Sequence, residues 1–119
     1  MNYCPFCEHM LSISKLSCEG CQSHFEGNFS FSRLARLKLN DQKLAEALIF
    51  SGGNLKDLAF KLDLSYPTLK KRLLSLTQNL EVLKEEDELE VQSIIKKIED
   101  ESINPELGIK RIKEIQGEL

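Results

Sequence analysis

Two short cysteine hooks, Cys4-Pro5-Phe6-Cys7 and Cys18-Glu19-Gly20-Cys21, stand ten residues apart near the start of a 119-residue chain. No other feature limits its fold so sharply. A Cys-x-x-Cys turn aims both thiolates the same way, so two such turns joined by a hairpin complete a tetrahedral four-sulfur shell of the closed, structural kind. A metal held by Cys4, Cys7, Cys18 and Cys21 has no open position for a substrate. Zinc is the expected occupant, although four thiolates also accept iron. A segment of about 25 residues buries too little apolar surface to fold unaided, so the ion would supply the stability of this part. Disulfides are the weaker reading: only Met1, Asn2 and Tyr3 precede Cys4, no secretory segment is read, and a reducing, cytoplasmic setting is expected. A redox Cys-x-x-Cys motif normally sits in a βαβ unit and occurs once. His9 and His24 could offer nitrogen, but four sulfurs already fill the shell.

The hydrophobic share is 41%, without tryptophan, which suits one modest core or several small modules better than a large enzyme domain. The net charge of -3 conceals a partition: residues 1–28 carry -2, residues 29–80 carry +5 and residues 81–119 carry -6. A basic middle attracts a polyanion locally even in an acidic protein, because salt confines surface fields to about 10 Å. Charge alone fits solvated helix faces equally well. No run approaches the roughly 20 apolar residues of a membrane span, so a soluble protein is expected. There is no Gly-rich phosphate loop and no His-Glu-x-x-His helix, and the cysteines are committed to metal, so an enzyme is not read here.

Loose alternation from Met10 to Ser17 and apolar residues at Phe25, Phe29 and Phe31 predict strands on either side of the second hook, together a zinc ribbon. Phe6, Phe25 and Phe29 are expected to pack over the metal rather than to stack on bases. The period then becomes helical. Asn40 and Asp41 offer caps to a helix carrying Leu44, Ala45, Leu48 and Ile49 inward and ending at Gly52-Gly53. Asn54 caps a second helix with Leu55, Leu58, Ala59 and Leu62 inward. Ser65 caps a third, with Pro67 in its first turn and Leu69, Leu73 and Leu76 on its buried side. Two short helices joined by a tight turn, the second of them basic, form the helix-turn-helix pattern. In that geometry Ser65, Tyr66 and Thr68 face base edges, and Lys70, Lys71 and Arg72 lie near phosphates. A plain three-helix bundle with a basic third helix is the competing reading. The acidic run from Glu81 to Glu90 reads as a solvated linker. After it, Val91, Ile94, Ile95 and Ile98 predict one helix, and Asn104-Pro105 opens another with Leu107, Ile109, Ile112 and Ile115. Their apolar stripes call for a second copy or another surface.

The expected fold class is therefore mainly α with a small N-terminal β zinc ribbon, a three-helix helix-turn-helix core and a C-terminal helical hairpin. Its parts are residues 1–31, 32–80 and 81–119. Gly53-Asn54-Leu55-Lys56-Asp57-Leu58-Ala59 and Leu64-Ser65-Tyr66-Pro67-Thr68-Leu69-Lys70 carry a resemblance, extending from Cys4 to Leu80, to a bacterial DUF2089-like family that joins a zinc ribbon to a helix-turn-helix. The second phrase also looks like sigma-factor-like DNA-binding helices. The resemblance implies a small transcriptional regulator. The tail is similar to SHOCT-like helical hairpins, which implies oligomerisation or partner contact. Ribbons of this sort usually place glycine after the second cysteine of each hook. Here Glu8 and Gln22 stand there, costing about 1 kcal/mol each if the backbone keeps a positive φ. Gly108 replaces the more usual alanine of such hairpins, implying a frayed helix or a close approach to a neighbour.

These readings converge on a sequence-specific, double-stranded DNA-binding transcriptional regulator with a structural zinc ion. It would bind as a homodimer or higher homo-oligomer joined through the tail hairpin, reading half-sites about 34 Å apart. The alternative is a protein-interaction adaptor in a transcription or signalling assembly that touches no DNA, favoured by the acidic tail and a pI near 5.4.

Overall fold

The same backbone hydrogen-bond pattern shapes both cysteine hooks in the computed structural model, which describes residues 1–117. In the first hook the Cys4 amide donates to the His9 carbonyl (2.8 Å) and the Glu8 amide to the Cys4 carbonyl (2.9 Å). In the second, the Cys18 amide donates to the Ser23 carbonyl and the Gln22 amide to the Cys18 carbonyl, both at 2.8 Å. This closure turns the residue after each second cysteine into the left-handed region, φ 62° at Glu8 and 63° at Gln22. The conformation that glycine would favour is thus kept by two bulkier residues.

Strand β1 (Ile13–Ser17) pairs antiparallel with β2 (His24–Phe29) around the second hook, setting Leu16 opposite Phe25 and Ser17 opposite His24. A bulge lies between the Ile13–Phe29 and Lys15–Glu26 pairs. A single bridge, Tyr3 to Met10, closes the first hook. The expected phenylalanine cover over the metal is not found. Phe6 is 95% exposed and Phe25 56% exposed, and only Phe29 is half-buried. A two-stranded ribbon has no second layer to receive these rings, and polar groups anchor it instead. The Asn2 amide donates to the carbonyls of Ala35 (2.8 Å) and Leu37 (2.7 Å), and the Tyr3 hydroxyl donates to Arg36 O (2.8 Å).

A 3-10 turn (Leu34–Arg36) leads into α1 (Leu39–Phe50), α2 (Leu55–Lys61) and α3 (Tyr66–Glu99). Helix α1 starts before the expected caps: Lys38 precedes it without a side-chain cap, and Asn40 and Asp41 lie in its first turn. Asp41 there favours the positive end of the helix dipole, so a residue type that marks caps marks the first turn equally well. Gln42 donates back to Ala35 O and Leu37 O (3.0 and 2.7 Å), the same two carbonyls that Asn2 holds. Gly52 (φ 65°) and Gly53 (φ 81°) end α1 as expected. Asn54 caps α2 by accepting from the amides of Lys56 (3.1 Å) and Asp57 (3.3 Å). At the other end of α2 the Leu64 amide reaches Ala59 O (2.9 Å) and the Asp63 amide Phe60 O (3.2 Å). This is a Schellman closure with Asp63 at φ 53° in place of glycine.

The core of this part is Leu58, Ala59 and Leu69, with Leu44, Ala47, Leu48, Leu55, Leu64 and Leu73 packed around it. Ile49, expected inward, is 75% exposed. One step of about 100° past Leu48 carries it off the inward arc.

The chain divides into two units at Leu76 and Thr77, and α3 crosses that division without a break. The expected linker at Glu81–Glu90 is helix throughout. Glutamate is a good helix former, and Leu83, Asp87, Val91, Ile94 and Ile98 keep one side covered at helical spacing. Asp87 takes a core-side place at 6% exposure, and a carboxylate there breaks the apolar run by which a sequence reading would follow the helix. In the second unit Glu101 (φ 59°) ends α3. Asn104 accepts from the Glu106 amide (2.9 Å) and Pro105 opens α4 (Pro105–Gln116), as the sequence predicts. Gly108 is buried; a Cβ on it would fall 2.6 Å from Ile98 Cδ1. The close approach is therefore real, and α4 continues unfrayed to Gln116. Arg111 pairs with Glu90 at 3.1 Å. Among the described residues no helix is long and apolar enough to cross a membrane.

Candidate metal centre and nucleic-acid interface

Cys4 and Cys7 form one close pair and Cys18 and Cys21 another. All four are free thiols, and all but Cys4 are exposed. The Phe6 amide points at Cys4 Sγ (3.4 Å), and the Ser23 hydroxyl lies 2.9 Å from Cys21 Sγ. Backbone amides of Cys7 and then Phe6, followed by the Cys7 thiol, hold the Cys4 pKa below the ordinary thiol value. For Cys21 the Ser23 hydroxyl is the largest cause of a similar lowering, ahead of the Ser23 amide and the Cys18 thiol. Donors converging on sulfur stabilise the thiolate, the form that binds metal. Among the described residues no three His, Cys, Asp or Glu side chains are gathered closely enough to hold an ion, so the structure forms each hook but does not draw the two together. The donor set itself fits zinc: soft thiolates, two per turn, free of disulfides. Of the alternative ligands, His24 has its Nδ1 engaged with Ser17 Oγ (2.9 Å), and His9 is exposed on the first hook.

In the first unit α3 buries Leu69 completely and Leu76 almost so. Ser65, Tyr66, Thr68, Lys70, Lys71 and Arg72 are all exposed. From Leu64 to Leu80 the chain contains three cations and no acid. Their roles separate on inspection. Ser65 is a helix cap: its hydroxyl donates to Thr68 Oγ1 (2.8 Å) and accepts from the Thr68 amide (3.4 Å). Lys70 Nζ stands 5.3 Å from the centre of the Tyr66 ring, a cation–π contact that orders both side chains. Arg72 and Lys43 border a cleft of about 500 Å³ beside Asn40 and Asp41 at the start of α1. Asn2 and Gln42, which lock the ribbon to the helices, escaped the sequence reading, because an amide that clamps a distant backbone leaves no local pattern. Leu74, 60% exposed on α3, escaped it because leucine at helical spacing is ordinarily core.

No curated protein and no solved structure matches the chain. Residues 4–35 match the DUF2089 zinc ribbon, and residues 37–83 match the domain of unknown function DUF2089-HTH. With the ribbon and the helix-turn-helix found in the same order and at the places where the structure folds them, the chain belongs to the DUF2089 family.

Proposed function

We propose that this protein is a sequence-specific, double-stranded DNA-binding transcriptional regulator, with three parts at residues 1–31, 32–80 and 81–119, α3 passing from the second to the third. The observation that carries this reading is the two-sidedness of α3 in the first unit: leucines bury one arc, while an acid-free run of polar and basic side chains stays exposed. A helix in this setting enters the major groove with its N-terminal turns, and its cations meet phosphates. Ser65 sets the start of the helix, Tyr66 and Thr68 stand nearest the bases, and Lys70, Lys71 and Arg72 supply the phosphate contacts. Cys4, Cys7, Cys18 and Cys21 would hold one zinc ion, which contributes folding energy and no chemistry. The activity is binding rather than catalysis, in a reducing cytoplasmic setting. The tail hairpin would join two copies to give half-sites about 34 Å apart.

Replacing Lys70, Lys71 and Arg72 by alanine should weaken duplex binding and reduce the slope of log affinity against log salt by about 2 to 3. An unchanged slope overturns the phosphate assignment. The adaptor reading draws on a separate observation: Val82, Leu89, Ile95, Leu107 and Ile109 of the second unit are large, apolar and exposed. A mobility shift against mixed duplex DNA at low salt separates the two readings, since an adaptor retains no DNA.

A further inference from the structure

The buried leucines set the phase of α3. Leu69 and Leu76 are buried and Leu73 packs with Leu69 against α1 and α2, so a step of about 100° per residue places Lys71 opposite that arc, with Pro67 and Leu74 to one side of it. All three are exposed, Leu74 at 60%. Their spacing of four and three residues makes them one continuous strip along the helix. The line of α3 facing directly away from the core is therefore a cation between two apolar side chains, which adds Leu74 to the exposed residues beyond the turn that carries Tyr66 and Thr68. Ser65 is spent on capping and Tyr66 lies against Lys70.

An aliphatic side chain within an acid-free basic run gains most from a ligand that is anionic overall and offers a methyl group among hydrogen-bond acceptors. The major groove supplies this combination at thymine, whose C5-methyl projects beside the O4 acceptor. On the DNA-binding reading above, we propose that Leu74 is a specificity-determining residue that packs on the C5-methyl of one thymine, while Lys71, nearly a turn earlier, keeps its place among the phosphate contacts.

Deoxyuridine tests this, because it removes that methyl and leaves base pairing intact. With the full chain, a preferred duplex is selected from random DNA, and each thymine in it is then replaced in turn by deoxyuridine. Affinities are measured for the unaltered protein and for Leu74→Ala, whose helix content by circular dichroism serves as the folding control. At one thymine the unaltered protein should lose about fourfold in affinity, the order expected for one buried methyl group. Leu74→Ala should bind the parent duplex more weakly by a similar factor and show no loss at that position. Leu74→Met, which keeps apolar reach, should retain the loss. Equal responses of unaltered and Leu74→Ala protein at every thymine overturn the proposal, as does a selected site with no specified thymine. Unaltered protein that retains no duplex at low salt overturns the DNA-binding reading as well, so the two failures are told apart.

Discussion

Ser23 carries no metal-ligating sulfur, yet its hydroxyl is the main reason the Cys21 thiol ionises more readily than usual. A lowered thiol pKa favours the thiolate in the folded chain. The associated stability is present above the ordinary value of 9.0 and is lost as pH falls through the lowered values of Cys4 and Cys21. Protons and zinc compete for the same sulfurs, so acid should release the ion. Ser23→Ala removes the largest stabiliser of the Cys21 thiolate and should move the midpoint of zinc release to higher pH, read with a chromogenic zinc indicator; an unmoved midpoint would show that the hydroxyl does not act on the bound sulfur. Gly108 is the opposite case, a side chain that must be missing. An added Cβ meets Ile98 Cδ1 at 2.6 Å and Ile103 Cδ1 at 3.1 Å, two different side chains. Alanine gains about 1 kcal/mol in helix propensity and loses about 1 to 3 in overpacking. Gly108→Ala should therefore be neutral to destabilising and Gly108→Val destabilising by about 2 kcal/mol, measured by urea denaturation. A stabilised Gly108→Val would contradict the close packing of α3 and α4.

Among the elements, the ribbon and the helices draw stability from different sources. The ribbon's strands are mostly exposed and hold no fully buried side chain, whereas α1, α2 and α3 share a core around Leu58 and Leu69. Chelation should accordingly abolish the amide pattern of β1 and β2 while leaving the helical circular dichroism nearly intact. Hydrogen exchange should also rise at Ala35 to Leu37, where Asn2 and Tyr3 clamp the connection. Loss of the helices on chelation would mean that the metal organises more than the ribbon. Helix ends show a similar economy. Three of them close with the same Schellman bonds, at Gly52, Asp63 and Glu101, and only the first uses the residue type that makes such an end obvious in a sequence.

At the scale of the whole chain the charges are laid out in order rather than mixed: acidic ribbon, basic helix-turn-helix, acidic tail. Net charge therefore says little about polyanion binding, and on the proposed function the salt dependence would arise in the middle segment. The tail retains exposed Leu107 and Ile109 on either side of the buried face of α4, which suits a second copy. Light scattering should give about twice the monomer mass at micromolar concentration, and Leu107→Glu with Ile109→Glu should halve it. A monomer before substitution would remove the dimer from the proposed mechanism.

The cysteine hooks, the strand pair, the helix caps at Asn54 and Asn104 and the buried leucines of α3 were legible in the residues alone, because metal ligation, capping and helical periodicity are short-range rules that each leave a local mark. The uninterrupted run of α3 through Glu85 to Glu88 was not, since whether an acidic stretch is solvent-swollen chain or helix depends on what covers Leu83, Asp87 and Val91. Nor were the outward rings of Phe6 and Phe25, or the polar clamp of Asn2, Tyr3 and Gln42. Each of these depends on which neighbour stands across a gap, and burial is a property of the packed chain, not of any residue in it.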